Sequence, residues 1–373
     1  MSTKFKARAG AASLAAAALA APAFAGPTYT NDTGGSFSWY GHFNPSFQSF
    51  DDGVEDYNRL VDNSGSSSRI GFWLNQEFGE NTLRFRFETS FGFRSSDGVD
   101  QNSTGDNVSW DRTNIRHVDL QFDTANYGRF SAGQGSMASD GITGADFSGT
   151  GLGASVAVAD PAGGYAFRTG TGALSTVSIG DVFNDYDGSR LGRVRYDSPE
   201  LAGFTLSTSY GTDILNEDND RETYDVAVRY SNDQVGAFAI DAGIGAAWTE
   251  RTGEEDRRDI SGSFGVLHKD TGLSLNVAAG ERDIAGSYAY AKLGYEANLI
   301  SAGSTAFSVD YYDGSDMVTN GDSAESWGVA AVQKIDAYNV EAYLGYRNYS
   351  YADNSATTYQ DADVILAGAR WKF

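Results

Sequence analysis

From Asn81 to Arg94 the chain alternates with period two: Leu83, Phe85, Phe87, Thr89, Phe91 and Phe93 fall on one face, and Arg84, Arg86, Glu88, Ser90 and Arg94 on the other. A β-strand sends successive side chains to opposite faces, so this segment predicts a strand with an apolar and a charged side. The same split recurs at Gly203 to Gly211, Glu222 to Ser231, Phe238 to Thr249, Ile260 to His268 and Leu273 to Arg282. It continues at Tyr288 to Asn298, Thr305 to Tyr312, Trp327 to Lys334 and Tyr338 to Tyr349. Ser36 to Gln48, Arg69 to Phe78, Arg112 to Phe122, Tyr127 to Gln134 and Gly192 to Ser198 are further candidates. The chain ends on the same pattern, with Ile365, Ala367, Ala369, Trp371 and Phe373 on one face and Leu366, Gly368 and Arg370 on the other. That makes about sixteen strands, an even number.

The connections sort into two kinds. Short links (Gly79-Glu80, Thr124-Ala125-Asn126, Asn232-Asp233, Lys269-Asp270-Thr271, Asp336-Ala337) interleave with long polar ones (Asp51 to Ser68, Ser95 to Asp111, Asn216 to Arg221, Ala352 to Asp361). Short turns at one end and long loops at the other are the habit of a closed membrane barrel, whereas a soluble sandwich has no reason to sort its loops. The expected fold is therefore all-β: a 16-stranded antiparallel transmembrane β-barrel.

Composition agrees. No apolar run after the N-terminal segment approaches the ~20 residues of a spanning helix. Five prolines, 45 glycines and 13% aromatics suit uninterrupted strands, tight turns and interfacial girdles. Cysteine is absent, so backbone ladders must hold the chain without disulfides. Lys4, Lys6 and Arg8, an Ala/Leu-rich stretch and Ala23-Phe24-Ala25 read as an export signal over residues 1–25, with the mature chain, residues 26–373, starting at Gly26. Losing those three cationic residues takes the formal charge from −23 to about −26. Such acidity disfavours nucleic acid as a partner.

One connection is far longer than the rest. Between Gln134 and Arg190 lie many glycines but also Phe147, Leu152, Val156, Tyr165, Phe167, Ile179 and Phe183. A disordered segment would lack those apolar groups, so this third long loop is expected to fold inward against the barrel wall.

Ordered pieces of the chain then resemble the general diffusion porins of Gram-negative outer membranes, of the alphaproteobacterial type. They are Trp39-Tyr40-Gly41-His42, Ser68-Arg69-Ile70-Gly71-Phe72, Arg116-His117-Val118-Asp119-Leu120, Tyr127-Gly128-Arg129-Phe130, Arg195-Tyr196-Asp197-Ser198-Pro199 and Arg370-Trp371-Lys372-Phe373. The resemblance implies a multi-pass protein of the cell outer membrane and a homotrimer in contact with outer-membrane lipid and lipopolysaccharide. It also implies an inward-folded loop over 134–190 that narrows the pore, and passive diffusion of ions and small hydrophilic solutes. Phe373 is implied as the signal read by the barrel-assembly machinery. At the constriction a basic wall of Arg69, Arg116, Arg86, Arg193, Arg195 and His42 is expected to face loop acids drawn from Asp140, Asp146, Asp160, Asp181, Asp185 and Asp187. The other readings are a plugged structural or adhesive barrel, or one with a more specific substrate.

The fourth strand poses a conflict. Arg116 shares its parity with Val118, Leu120 and Phe122, and an arginine facing lipid near the midplane costs about 2–4 kcal/mol. The expected orientation turns Arg116 inward, packs Val118, Leu120 and Phe122 beneath the loop, and leaves His117, Asp119 and Gln121 facing a partner subunit.

Catalysis finds no motif. His42, His117 and His268 lie outside any Gly-x-Ser-x-Gly or His-Glu-x-x-His context, so no enzyme activity is expected. No cofactor is implied, although Asp51-Asp52-Gly53-Val54-Glu55-Asp56, Glu217-Asp218-Asn219-Asp220 and Glu254-Glu255-Asp256 are oxygen-rich enough for loop-bound calcium.

Overall fold

The computed structural model describes residues 26, 28–104, 108–216 and 219–373. The leader expected over 1–25 lies outside the described residues, as do Glu217 and Asp218 of one acidic cluster. Sixteen antiparallel strands close into one barrel. Strand β1 comprises Gly35–Phe43 and Pro45–Asp51, with Asn44 between them. There follow β2 (Arg69–Phe78), β3 (Asn81–Ser90), β4 (Ile115–Thr124), β5 (Gly128–Ser136), β6 (Arg190–Asp197), β7 (Phe204–Thr212) and β8 (Glu222–Val235). The second half runs through β9 (Phe238–Glu250), β10 (Arg257–His268), β11 (Leu273–Arg282), β12 (Ser287–Ile300), β13 (Gly303–Ser315), β14 (Ser323–Ile335), β15 (Val340–Ala352) and β16 (Ala362–Lys372).

Closure is staggered. β1 pairs with β2 through Gly35 to His42, but with β16 only from His42 to Asp51. That offset is the shear a tilted barrel needs. The exposed upper edge of β1 is covered by a short strand, Asp56–Asp62, within the first long loop. At the other end Phe373 closes the ring: its N–H donates to Gly41 O and its carbonyl accepts from Gly41 N, both at 3.0 Å. Gly41 is required there, since a Cβ would lie 2.6 Å from the Phe373 ring.

The period-two pattern sets the faces. On β8, Tyr224, Val226 and Val228 are exposed outward, while Thr223, Asp225 and Ala227 are buried inside. Tyr127, Leu201 and Tyr338 project from the short-turn end, where girdle residues belong. One turn is displaced from the expected place: β8 continues past Asn232 to Val235 with a register shift, and Gly236 makes the reversal at positive φ.

The fourth strand departs from the expected orientation. Val118, Leu120 and Phe122 are exposed outward, and His117, Asp119 and Gln121 are buried inward. Arg116 nevertheless faces inward, because Glu88 pairs with His117 while Thr89 pairs with Ile115, leaving Arg116 as an extra residue. A β-bulge breaks the strict alternation, so neither whole-strand orientation applies.

Candidate pore constriction

The long loop, residues 137–189, folds into the barrel and follows its inner wall. Ser139 N donates to Asp225 on β8 at 2.7 Å, and Ile142 O accepts from Ser263 on β10 at 2.6 Å. Farther on, Phe147 N meets Asn276 of β11 at 2.9 Å and Thr150 meets Ser308 of β13 at 2.7 Å. Tyr349 of β15 donates to Val158 O at 2.7 Å, and the outgoing arm ends where Gln48 of β1 donates to Pro161 O at 2.5 Å. The first and second long loops press on it there, through Ser64 and Ser96 to Asp160 O. A short hairpin, Ala166–Arg168 with Leu174–Ser178, and one helical turn, Ile179–Val182, reverse the chain. The returning arm is tied by Tyr312 to Asn184 O at 2.7 Å and by Ser261 to Tyr186 O at 3.0 Å.

The apolar residues of the loop explain its adhesion. Val158, Tyr165, Phe167, Ile179, Val182 and Phe183 share one buried cluster with wall residues such as Tyr288, Tyr312 and Tyr349. Burial of that surface drives docking, at about 25 cal/mol per Å², and the hydroxyls of Tyr312 and Tyr349 satisfy loop carbonyls that would otherwise be orphaned.

Among the described residues, no hydrogen bond joins residues 138–187 to β2, β3, β4 or β5. That uncovered wall carries the basic cluster. Glu88 lies at its centre: Oε2 accepts from Tyr40 and from Arg86, each at 2.7 Å, and Oε1 accepts from Arg116 Nε at 2.7 Å, with Arg69 3.6 Å away. Its side chain is 2% exposed. Arg86 also lies over the Trp73 ring at 5.0 Å. Gly71 makes room for Tyr40, whose hydroxyl would be 2.7 Å from an added Cβ.

The other expected wall residues have different settings. His42 Nε2 is 2.9 Å from Ser67 O, at the foot of the first loop. Arg193 is almost fully buried, bonded to Asp119 at 2.8 Å and to the carbonyls of Gly133 and Ser136, so it braces the base of the loop. Arg195 does likewise through Asp197 and Met137 O. Arg69, Arg86 and Arg116 are brought together; Arg193 and Arg195 form a separate group beside the loop's root.

The loop acids also divide. Asp140 stands 3.6 Å from Arg190, the first residue of β6. Asp146 points to the opposite wall, pairing with the buried Lys292 of β12 at 2.8 Å, which also donates to Ala154 O at 2.6 Å. Burial works against the Asp146 charge, yet Lys292 holds its carboxyl below the ordinary value. Asp181 caps the helical turn through Ser178 and is exposed, so its role is local. Asp187 accepts from Gly141 N at 2.7 Å, joining the two arms, and Asp185 lies within reach of Thr143 at 3.4 Å. Burial, then the neighbouring Asp185 and Asp140, push Asp187 up to about 7, and burial likewise raises Asp185. Asp160, beside the first loop, is pushed up to about 8 by burial and by Asp97 and Asp185.

Glu88 and Lys292 are the residues that sequence reasoning missed as site members. Glu88 was visible on the same face as Arg84 and Arg86, which is a signal for pairing; Lys292 had none beyond its inward parity. Among the described residues no group of three or more His, Cys, Asp or Glu is placed to hold a metal ion.

Solved structures share this architecture. The chain is similar to the anion-selective porin from Comamonas acidovorans (15% identity, covering 91% of this chain and 100% of that one, TM-score 0.58). It is similar to Salmonella typhi OmpF in complex with daunomycin (13% identity, 93% and 100%, TM-score 0.56). A trimer form of in-vitro folded OmpT from Vibrio cholerae also aligns (17% identity, 91% and 99%, TM-score 0.55). No curated protein sequence matches the chain. The sequence signature of the Gram-negative porins matches residues 11–356. A sixteen-stranded barrel with a wall-hugging inner loop and a signature over most of its length is thus no isolated resemblance: the chain belongs to the Gram-negative porin family, outer-membrane channels for the diffusion of small solutes.

Proposed function

We propose that this porin forms a passive, water-filled channel for ions and small hydrophilic solutes, whose narrowest part lies between the inner loop and the wall of β2 to β4. The observation that carries this reading is the path of the loop, which is bonded to the wall from β7 round to β1 and leaves bare the stretch holding Arg69, Arg86 and Arg116. Opposed acids and arginines in a confined lumen set up a transverse field that orients dipolar solutes and disfavours apolar ones. No catalytic step belongs to this reading. Purified protein in planar bilayers should give open, ohmic steps in KCl, and a folded barrel without conductance would favour the plugged alternative.

The functional unit in this reading is a homotrimer, supported by the related OmpT having a trimer form. The lipid-facing band borders phospholipid and lipopolysaccharide, and the closing strand with Phe373 is what the assembly machinery engages. Mass measured in mild detergent tests the trimer; a monomer that keeps its barrel would remove it.

A further inference from the structure

The extracellular mouth beside β8 to β11 holds arginines that the constriction does not use. Thr223 and Thr249 are directly opposed on the inner face, their hydroxyls 3.0 Å apart, while Tyr224 and Trp248 stack on the outer face. Arg221 and Arg251 lie next to the last paired residues, Glu222 and Glu250, just beyond the strand ends, and the charge of Arg251 bears on Arg221. Arg257, the first residue of β10, pairs with Thr249 and is their diagonal neighbour. Like charges in directly opposed positions destabilise a ladder unless something lies between them.

Among the described residues, the neighbouring carboxylates leave this group short of acceptors. Asp259 accepts its short bonds, 2.6 and 2.9 Å, from Arg282, and Arg257 stands 3.6 Å away as second claimant. Asp213 is 3.9 Å from Arg221, and Glu254, itself 61% exposed, takes Arg251 at 2.9 Å. Asp220 accepts from Thr252 N instead. Among the described residues, the Nε atoms of Arg221, Arg251 and Arg257 are buried and find no hydrogen-bond acceptor. Burial, opposed by Asp213 and reinforced by the charge of Arg251, holds the Arg221 guanidinium below its ordinary value. Beneath the group, Arg282 lies over the ring of Tyr186 at 4.7 Å, on the returning arm of the loop.

We propose that Arg221, Arg251 and Arg257 form an oxyanion subsite at the outer mouth, taking the phosphate, sulfate or carboxylate group of a small solute before it reaches the constriction. Guanidinium forks match the spacing of oxyanion oxygens, and an anion between Arg221 and Arg251 would relieve their repulsion. The inner face gives the site to soluble anions rather than lipid phosphate. The inference rests on the channel reading.

Wild type, Arg251→Gln and the triple variant Arg221→Gln/Arg251→Gln/Arg257→Gln would be reconstituted in zwitterionic bilayers in KCl, with inorganic phosphate titrated on the outer side. Wild type should show a saturable fall in chloride current. The triple variant should keep its KCl conductance and need about tenfold more phosphate, equivalent to about 1.4 kcal/mol of lost binding. Arg251→Lys, which keeps charge but loses the fork, should fall between. Equal phosphate dependence in wild type and both Gln variants overturns the subsite, as does a block seen only after anionic lipid is added. Calorimetric phosphate titration of the folded protein in detergent reads the subsite without conductance, so a non-conducting wild type refutes the channel alone.

Discussion

Arg116 reaches Glu88 at 2.7 Å across a β-bulge, although the two are not partners in the ladder: Glu88 pairs with His117, and Arg116 is the residue left over. The bulge turns a third arginine onto a carboxylate already bonded to Tyr40 and Arg86. An acid therefore sits inside the basic wall and cancels part of its charge.

Glu88→Gln should move selectivity toward anions, because it leaves the arginines and removes the charge that offsets them. It should also lower thermal stability by about 1–3 kcal/mol, the usual cost of stripping a partner from buried donors. Reversal potential in a salt gradient and the unfolding midpoint in detergent measure the two effects. An unchanged reversal potential would place Glu88 outside the conducting path.

Arg69→Ser with Arg116→Ser should act in the opposite direction, raising the cation-to-anion permeability ratio. The same salt-gradient measurement decides it.

Lys292→Met should loosen the inner loop. It strands the Asp146 carboxylate and the Ala154 carbonyl against the wall, and breaking a buried pair from one side costs about 3–5 kcal/mol. Larger open-channel noise and faster proteolysis within residues 137–189 are the expected signs.

Acidification should favour anions. Asp160, pushed up to about 8, and Asp187, pushed up to about 7, are charged above those values and neutral below them. Lowering the pH from 9 to 6 thus removes negative charge from the loop while the arginines stay protonated. The pH dependence of the reversal potential should flatten in Asp160→Asn/Asp187→Asn.

Deleting Phe373 should reduce assembled protein more than it destabilises protein already assembled. It removes both hydrogen bonds to Gly41 and the ring packed 5.6 Å from Trp39. Surface level and the melting midpoint of the assembled fraction separate the two effects; normal surface levels would leave Phe373 a plain girdle residue.

The alternation of residues such as Tyr224, Val226 and Val228 with Thr223, Asp225 and Ala227 by itself determined the strands and the barrel, and the faces of β8, though not those of β4, because side-chain parity in a strand is a local property of the backbone. Loop length and apolar content likewise made the inner loop legible. Parity could not reveal the bulge at Arg116, which depends on the pairing of β3 with β4. Nor could it tell that Asp146 anchors the loop to Lys292, or that Asp181 merely caps a helical turn, whereas Asp140 meets Arg190. Those assignments depend on which wall each stretch of the loop lies against. The pairs of Asp146 with Lys292 and Asp140 with Arg190 are long-range contacts, up to 146 residues apart in sequence, and only the closed barrel with its loop in place brings them together.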